Sequence, residues 1–312
     1  MRKSLQLQAE MMDEFGACVF DVTLDCEDGA PVGGEADHAA LVVALVALAS
    51  DKARVAVRVH ALDHPAFEAD IASIAGKVGH RLSHIMVPKV ESVGDVNRAV
   101  AALAAVGQMA VPLHVLLESP AAVHQAFEIA AHPRVQSISF GLMDFVSSHG
   151  GAIPGDAMSG QGQFAHPLVV RAKLEIASSC HAHGKVPSHC VVTEFSDTEA
   201  MKAAAQKAAR EFGYTRMWSI HPSQIRPILE AFAPSEGEIE GATKIIAAGA
   251  RSDWAPISFE GQLHDRASYR YYWQVLARAH QTGRVLPAEA QLYFAATLHQ
   301  PLNGGPFFKE FL

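Results

Sequence analysis

Short apolar segments alternate with longer, alanine-rich segments along most of this chain, and this alternation limits its fold more than any other feature. Seven segments rich in Val, Ile, Leu and Phe read as β-strands: residues 19–24, 54–59, 83–88, 113–117, 135–140, 186–191 and 216–220. Helical segments lie between them at residues 37–50, 66–78, 94–106, 121–131, 167–183 and 198–212. Strands that alternate with helices of this length predict βαβ units and a parallel sheet.

Eight such units make a (β/α)₈ barrel of about 250 residues. Seven are clear here, and residues 4–9 are a weak candidate for the eighth strand. We therefore predict an α/β fold with a TIM-barrel catalytic domain over residues 1–233. From residue 234 the alternation stops, and residues 234–312 are predicted to form a helical C-terminal extension that acts as a lid or an oligomer contact.

Composition excludes several other classes of protein. The chain carries 25 Lys+Arg against 33 Asp+Glu, a net charge of −8, which argues against a general nucleic-acid-binding face. The longest apolar run, residues 39–49, is about half as long as a membrane crossing requires. The polar start shows no secretory signal, and none of the four cysteines forms a Cys-x-x-Cys pair. These features predict a cytoplasmic protein with reduced thiols.

Ionisable residues lie at or just after the carboxyl ends of successive predicted strands, which is where barrel enzymes place their active sites. They are the segment Asp25-Cys26-Glu27-Asp28-Gly29, Arg58, His60, Lys89, Glu91, Glu118, Asp144, His189 and His221. Because seven strands deliver such groups to one rim, we predict a polar, catalytic mouth.

Two of these carboxylates suggest a metal site. Glu118 and Asp144 follow consecutive strands, which are neighbours in a barrel, so both can reach one ion. Two carboxylates completed by water and substrate oxygens suit Mg²⁺, and Mn²⁺ would fit nearly as well. A weaker alternative is the cluster of His181, His183, His189 and Cys190, which lacks a recognised ligand spacing.

Two cations at the same rim have more than one interpretation. Arg58 presents a planar fork that can hold a substrate carboxylate or an enolate oxygen. Alternatively, it is a structural partner of Glu27 or Asp28. Lys89 could form a Schiff base, as in metal-independent aldolases, but a rim rich in carboxylates would keep its amine protonated.

The motifs at the strand ends also resemble those of a known family. They are Leu24-Asp25-Cys26-Glu27-Asp28-Gly29, Val57-Arg58-Val59-His60, Val87-Pro88-Lys89-Val90-Glu91, Leu116-Leu117-Glu118-Ser119, Phe140-Gly141-Leu142-Met143-Asp144 and Ser219-Ile220-His221-Pro222-Ser223-Gln224-Ile225. In this order they are similar to the citrate lyase β-subunit-like (CitE-like) proteins of the HpcH/HpaI aldolase/citrate lyase superfamily, which includes malyl-CoA lyases. The resemblance covers most of residues 18–250.

The resemblance implies a lyase that cleaves or forms a carbon–carbon bond between a 2-oxo acid and an acetyl-type thioester. It implies Mg²⁺ held by Glu118 and Asp144, and an oxo acid oriented by Arg58, with the metal and the arginine stabilising an enolate. By the same resemblance, Lys89 and Gly141 would contact substrate. Glu27 and Asp28 would hold metal-bound waters or position the substrate.

Residues 261–265, Gly-Gln-Leu-His-Asp, resemble the lid motif of malyl-CoA lyases. That likeness makes Asp265 the candidate acid/base, often supplied across a subunit interface, and it implies a homo-oligomer, a trimer or hexamer. The alternative is a loop aspartate that precedes Arg266 and the next helix.

Three departures from the family pattern leave the substrate open. Residues 1–17 lack the Pro-Gly turn that helps to bind CoA phosphates, His60 replaces the usual Asn, and residues 153–164 form a glycine-rich insertion. The leading hypothesis is a Mg²⁺-dependent lyase acting on a 3-hydroxyacyl thioester or related hydroxy acid. The alternatives are a thioesterase on the same scaffold and a non-catalytic binding or regulatory protein.

Overall fold

The computed structural model of this protein describes residues 1–30 and 32–295, and these residues form two compact units. Residues 1–14 and 20–232 make the first unit, and residues 15–19 with 233–295 make the second. The predicted extension runs to residue 312, so its last part, residues 296–312, lies outside the described residues.

A single parallel sheet organises the first unit, and its strands pair in chain order. The strands are β1 (Val22–Asp25), β2 (Val55–Arg58), β3 (Leu82–Val87), β4 (Leu113–Leu117), β5 (Val135–Phe140), β6 (Val186–His189) and β7 (Arg216–Met217). The sheet curls until its two edges approach each other, because Arg216 of β7 lies 3.1 Å from Asp21, just before β1. The predicted α/β fold is confirmed as TIM-barrel-like.

One helix, α1, precedes the first strand, and the other helices of this unit follow the strands, as the alternating sequence predicts. They are α1 (Arg2–Phe15), α2 (Glu35–Leu48), α3 (Phe67–Asp70), α4 (Gly76–Val78), α5 (Val93–Ala105), α6 (Pro120–His124), α7 (Ala126–Ala131), α8 (Leu142–Ser147), α9 (Pro167–Ala182), α10 (Thr198–Arg210) and α11 (Ile225–Phe232). A π-helical segment, Ile71–Ala75, connects α3 to α4. Such segments in helices often accompany functional sites.

The side chains on the two faces of a strand have different surroundings. On β2, Val55 and Val57 pack into the main apolar core with the surrounding helices, whereas Arg58 is buried without joining that cluster. Side chains of a strand alternate between its faces, so the face that carries Arg58 is directed into the barrel. This alternation brings polar groups to the carboxyl end of the sheet.

The predicted eighth strand at residues 4–9 is wrong, because these residues belong to helix α1. Gln8 and Met11, three positions apart, are its buried residues, which is the spacing of one helix face. The Gln8 side-chain amide donates hydrogen bonds to the carbonyls of Phe20 and Arg54, which precede β1 and β2. Helix α1 therefore packs at the amino-terminal end of the sheet.

The second unit is helical apart from one hairpin. Its elements are α12 (Glu236–Arg251), β8 (Ile257–Phe259), β9 (Gln262–His264), α13 (Arg266–Gln281) and α14 (Ala288–Ala295). Strands β8 and β9 pair antiparallel, and Ile246, Trp273 and Phe294 lie in the unit's own apolar core. Within residues 1–30 and 32–295, no helix has the length and apolarity needed to cross a membrane.

Candidate active site

Asp25 and Arg58 end neighbouring parallel strands and are direct partners in the register of the sheet. Arg58 Nε lies 2.7 Å from Asp25 Oδ1, and Nη2 lies 2.6 Å from Oδ2, which is a bidentate pair. Burial raises the pKa of Asp25, but the Arg58 hydrogen bond and charge outweigh it and hold this pKa below its usual value. From the sequence, Asp25 was placed at the polar rim by its position after a predicted strand, but it was not identified as the partner of Arg58.

Glu27 connects this pair to Lys89. One Glu27 oxygen, Oε2, lies 2.7 Å from Arg58 Nη1, and the other, Oε1, accepts a hydrogen bond of 2.8 Å from Lys89 Nζ. Asp28 is more distant, with Oδ2 3.8 Å from Arg58 Nη1 and 64% of its side chain exposed. The ion pair of Arg58 with Glu27 that the alternative interpretation proposed is therefore present, but Asp25 supplies the bidentate contact.

Lys89 holds an uncommon backbone conformation, with φ at 52° in the left-handed region that favours glycine. The hydrogen bond that Lys89 donates to Glu27 raises the pKa of the Lys89 ammonium, with further support from the charges of Asp28 and Asp144. A raised pKa favours the charged amine, which is not nucleophilic. This geometry disfavours the Schiff-base interpretation.

Glu118 and Asp144 line one cavity of about 460 Å³ together with Lys89. Glu118 follows β4 and is buried, and Asp144 is exposed in the first turn of α8. Gly141, at the end of β5, lies against the Glu118 side chain: a Cβ added to Gly141 would be 2.5 Å from Glu118 Cγ. The predicted metal ligands thus share a cavity, and Gly141 makes room for one of them.

The electrostatics of Glu118 test whether a cation fits there. Burial and the nearby carboxylates of Asp144 and Glu27 raise the pKa of Glu118 to about 8, against the opposing charges of Lys89 and Arg58. No hydrogen bond or ion pair reaches the side chain of Glu118 or Asp144 from residues 1–30 or 32–295. Carboxylates without a protein partner, directed at one cavity, fit a divalent cation.

Within the described chain, no group of three or more His, Cys, Asp and Glu side chains is arranged to hold a metal. The alternative cluster at 181–190 is therefore not formed. His181 Nε2 is within hydrogen-bond distance of the Gly213 carbonyl oxygen, at 2.7 Å. His189 is fully buried and its ring stacks on Phe164. Two carboxylates, Glu118 and Asp144, match the few protein ligands that Mg²⁺ usually takes.

Two further residues of the sequence analysis have defined places. His60, two positions after Arg58, has Nδ1 2.6 Å from buried Asp70, whose carboxylate also accepts the His60 backbone N–H. Asp265 belongs to the second unit and caps helix α13, accepting from the backbone N–H groups of Ala267 and Ser268. Its acid/base role stays a prediction.

An aromatic residue that the sequence analysis did not single out completes the surroundings of Arg58. The ring of Trp218, which follows β7, has its centroid 5.2 Å from the Arg58 guanidinium carbon. This contact is of cation–π type and brings the segment after β7 against the last residue of β2. No positional signal marked this residue in the sequence, because Trp218 lies inside the predicted strand 216–220, whereas the observed β7 ends at Met217.

Comparisons with known proteins agree with this geometry. The model of the HpcH/HpaI aldolase/citrate lyase family matches residues 5–222. The chain is 31% identical over 281 residues to L-malyl-CoA/β-methylmalyl-CoA lyase of Cereibacter sphaeroides, covering 83% of this chain and 87% of that one. A crystal structure of a citrate lyase from Burkholderia xenovorans LB400 is 49% identical, with a TM-score of 0.80 and coverage of 93% and 91%.

A more distant likeness is to the fold alone. The CitE protein of Mycobacterium tuberculosis, solved with magnesium, acetoacetate and coenzyme A, has a TM-score of 0.66 at 24% identity. The superposition covers 88% of this chain and 95% of that one.

Proposed function

The chain belongs to the HpcH/HpaI aldolase/citrate lyase family and is a carbon–carbon lyase, and we propose that it splits a 3-hydroxyacyl thioester into a 2-oxo acid and an acetyl-type thioester. In this proposal the reaction requires a divalent cation, Mg²⁺ or Mn²⁺. The similarity to a malyl-CoA lyase over most of both chains supports a thioester substrate carried by CoA.

The observation that carries the proposal is the pair of unpartnered carboxylates, Glu118 and Asp144, at one cavity. These two residues would hold the cation. When bound, it supplies Lewis-acid stabilisation of negative charge on substrate oxygen. Gly141 keeps the space beside Glu118 open, so the carboxylate can lie against the backbone there.

Arg58 would orient the oxo-acid half. A guanidinium has five N–H donors; the hydrogen bonds to Asp25 use two of them, and the ion pair with Glu27 occupies a third nitrogen, Nη1, without a hydrogen bond. At least two N–H groups remain for a substrate carboxylate or an oxygen that gains charge. Asp25 and Glu27 fix the guanidinium before substrate arrives, and fixed donors stabilise developing charge without reorganisation.

The remaining site residues take supporting roles in the proposal. Lys89, held by Glu27, would place a positive charge near the substrate, and exposed Asp28 would contact water around the cation. Asp265, carried by the second unit, would exchange the proton with the acetyl-type carbon. A homo-oligomer, a trimer or hexamer, would supply this residue between subunits.

The test is a panel of hydroxyacyl-CoA thioesters incubated with Mg²⁺, with release of glyoxylate, pyruvate or oxaloacetate as the readout. Glu118→Gln and Asp144→Asn are the test variants. Glu128→Gln, an exposed carboxylate on α7, is the matched control. We expect oxo-acid release that disappears with a chelator and in both test variants, and persists in the control.

Product identity separates the alternatives. A free hydroxy acid without oxo acid would indicate a thioesterase and would contradict the lyase proposal. Full activity in Glu118→Gln would contradict the proposed cation site. No turnover of any thioester by the wild type, while the cation still binds, would favour a binding or regulatory role.

A further inference from the structure

Arg98 projects from helix α5 to the same cavity that Glu118 and Asp144 line. Its Nη2 donates a hydrogen bond of 3.1 Å to the Leu62 carbonyl, in the segment after β2. That contact anchors one side of the guanidinium and leaves most of its donors unused. The sequence analysis did not single out Arg98, because it lies inside a helix and away from any strand end.

Arg98 differs from the other cation of the cavity. Lys89 is paired with Glu27 at 2.8 Å, whereas no carboxylate of the described residues lies within 4 Å of the Arg98 guanidinium. This is so although Asp63 and Asp95 line the same cavity. Asp95 instead accepts hydrogen bonds from Ser92, the N-cap of α5, in a capping box. Arg98 is thus an exposed cation with free donors at the edge of the cavity.

The charges around Arg98 indicate that its guanidinium binds an anionic group. Once a divalent cation balances Glu118 and Asp144, the cavity edge still carries Asp63, Glu91 and Asp95. These carboxylates repel an anionic part of the substrate unless a cation faces it. A guanidinium anchored at one nitrogen can present two parallel N–H groups to a carboxylate or phosphate.

We propose that Arg98 is a specificity-determining residue that binds an anionic group of the substrate outside the reacting carbons. The inference rests on the proposed function for the identity of the substrate. The shared chemistry is a carboxylate or phosphate oxygen pair, and it has two sources. One is a second carboxylate of the oxo acid, and the other is a phosphate of the CoA carrier.

Binding measured without turnover tests this role. Titration calorimetry with Mg²⁺ present would compare CoA with pantetheine, which lacks the phosphates, and oxaloacetate with pyruvate, which lacks the second carboxylate. The variants are Arg98→Gln and Arg98→Lys. Arg134→Gln is the matched control, because Arg134 likewise donates Nη2 to a loop carbonyl, that of Val111, but precedes β5 at the opposite end of the sheet.

We expect Arg98→Gln to weaken binding of CoA or of oxaloacetate at least tenfold, while binding of the counterpart that lacks the extra anionic group, pantetheine or pyruvate, changes less than twofold. Arg98→Lys should recover part of the loss, and Arg134→Gln should bind as the wild type does. With a thioester that is cleaved, the KM of Arg98→Gln should rise while kcat stays nearly constant. This is the result expected when a mutation removes a contact that stabilises the bound substrate and the transition state equally.

A loss confined to CoA assigns the phosphate, and a loss confined to oxaloacetate assigns the second carboxylate. Unchanged affinity for both ligands in Arg98→Gln, or no measurable binding of either by the wild type, would overturn the proposal. Because these arms need no cleavage, a failure of the lyase proposal appears separately, as the absence of oxo acid in the turnover panel.

Discussion

Glu118 packs directly against the α-carbon of Gly141, and a Cβ at residue 141 would lie 2.5 Å from Glu118 Cγ. Any side chain there must displace the carboxylate that we place on the divalent cation. The sequence analysis assigned Gly141 to substrate contact. The structure shows in addition that Gly141 makes space for Glu118, and its contact with substrate stays a prediction.

Gly141→Ala should therefore weaken cation binding. We expect the affinity for Mn²⁺ to fall at least tenfold, because the new methyl group moves Glu118 from its position. Equilibrium dialysis or electron paramagnetic resonance of free Mn²⁺ measures this. Gly241→Ala, at an open position of α12, is the control and should leave the affinity unchanged. Wild-type Mn²⁺ affinity in Gly141→Ala would contradict the assignment.

Asp25→Ala should destabilise the fold, because Arg58 is buried and would lose its bidentate partner. Removing one partner of a largely buried pair costs a few kcal/mol, and Glu27 offsets part of it, so we expect a loss of about 2 kcal/mol in the free energy of unfolding. Urea denaturation is the measurement. The control is Asp51→Asn, which breaks an exposed pair with Arg81 and should change stability little. Equal losses in both variants would contradict this account.

The sequence alone predicts much of the fold of this protein and part of its candidate site. The alternation of apolar and helical segments was enough for the seven strands and their order, and position at or just after the carboxyl end of a strand selected Arg58, Glu118 and Asp144. The alternation of segments did not identify the structure of residues 4–9. A short amphipathic segment fits either a strand or a helix until the residues that pack against it are known. Only the three-dimensional packing shows that Gln8 bonds to the carbonyls before β1 and β2.

The same limit applies to partners within the site. The register between β1 and β2 places Asp25, and not Asp28, opposite Arg58. The register of paired strands cannot be read from the sequence alone. Arg98 reaches the cavity from a helix, where solvent-exposed arginines are common and carry no positional signal.

Acid should destabilise the protein through His84. Burial is the largest cause that lowers the pKa of His84, to about 4, opposed by Asp21 and assisted by Arg216 and Arg54. In the unfolded chain His84 takes up a proton near pH 6.5, so between pH 6.5 and 4 the unfolded state binds more protons. Stability from this group is present above pH 6.5 and falls as the pH drops towards 4, by up to about 3 kcal/mol.

The check is the free energy of unfolding between pH 7 and pH 4.5. In His84→Gln the free energy of unfolding should fall less between these pH values than in the wild type. The difference in slope should correspond to close to one proton fewer taken up on unfolding. His80→Gln, at an exposed histidine, should keep the wild-type dependence. If both variants decline as steeply as the wild type, burial of His84 does not contribute to acid sensitivity.

Lys89 should form no covalent adduct during turnover. Glu27 raises its pKa and keeps the amine charged, so borohydride reduction in the presence of pyruvate or glyoxylate should leave the intact mass unchanged. An authentic Schiff-base aldolase is the positive control. A reduced adduct mapped to Lys89 would restore the metal-independent alternative.

The central claim is that Glu118 and Asp144 together hold the divalent cation of a carbon–carbon lyase. Its most direct test is a crystal structure grown with Mn²⁺ and glyoxylate, with data collected for the anomalous signal of manganese. We predict one strong peak bonded to a carboxylate oxygen of each residue, at a distance of about 2.1 Å as for Mg²⁺. The peak should disappear in Glu118→Gln. A peak bonded to neither residue, in a protein that cleaves its thioester, would contradict the account.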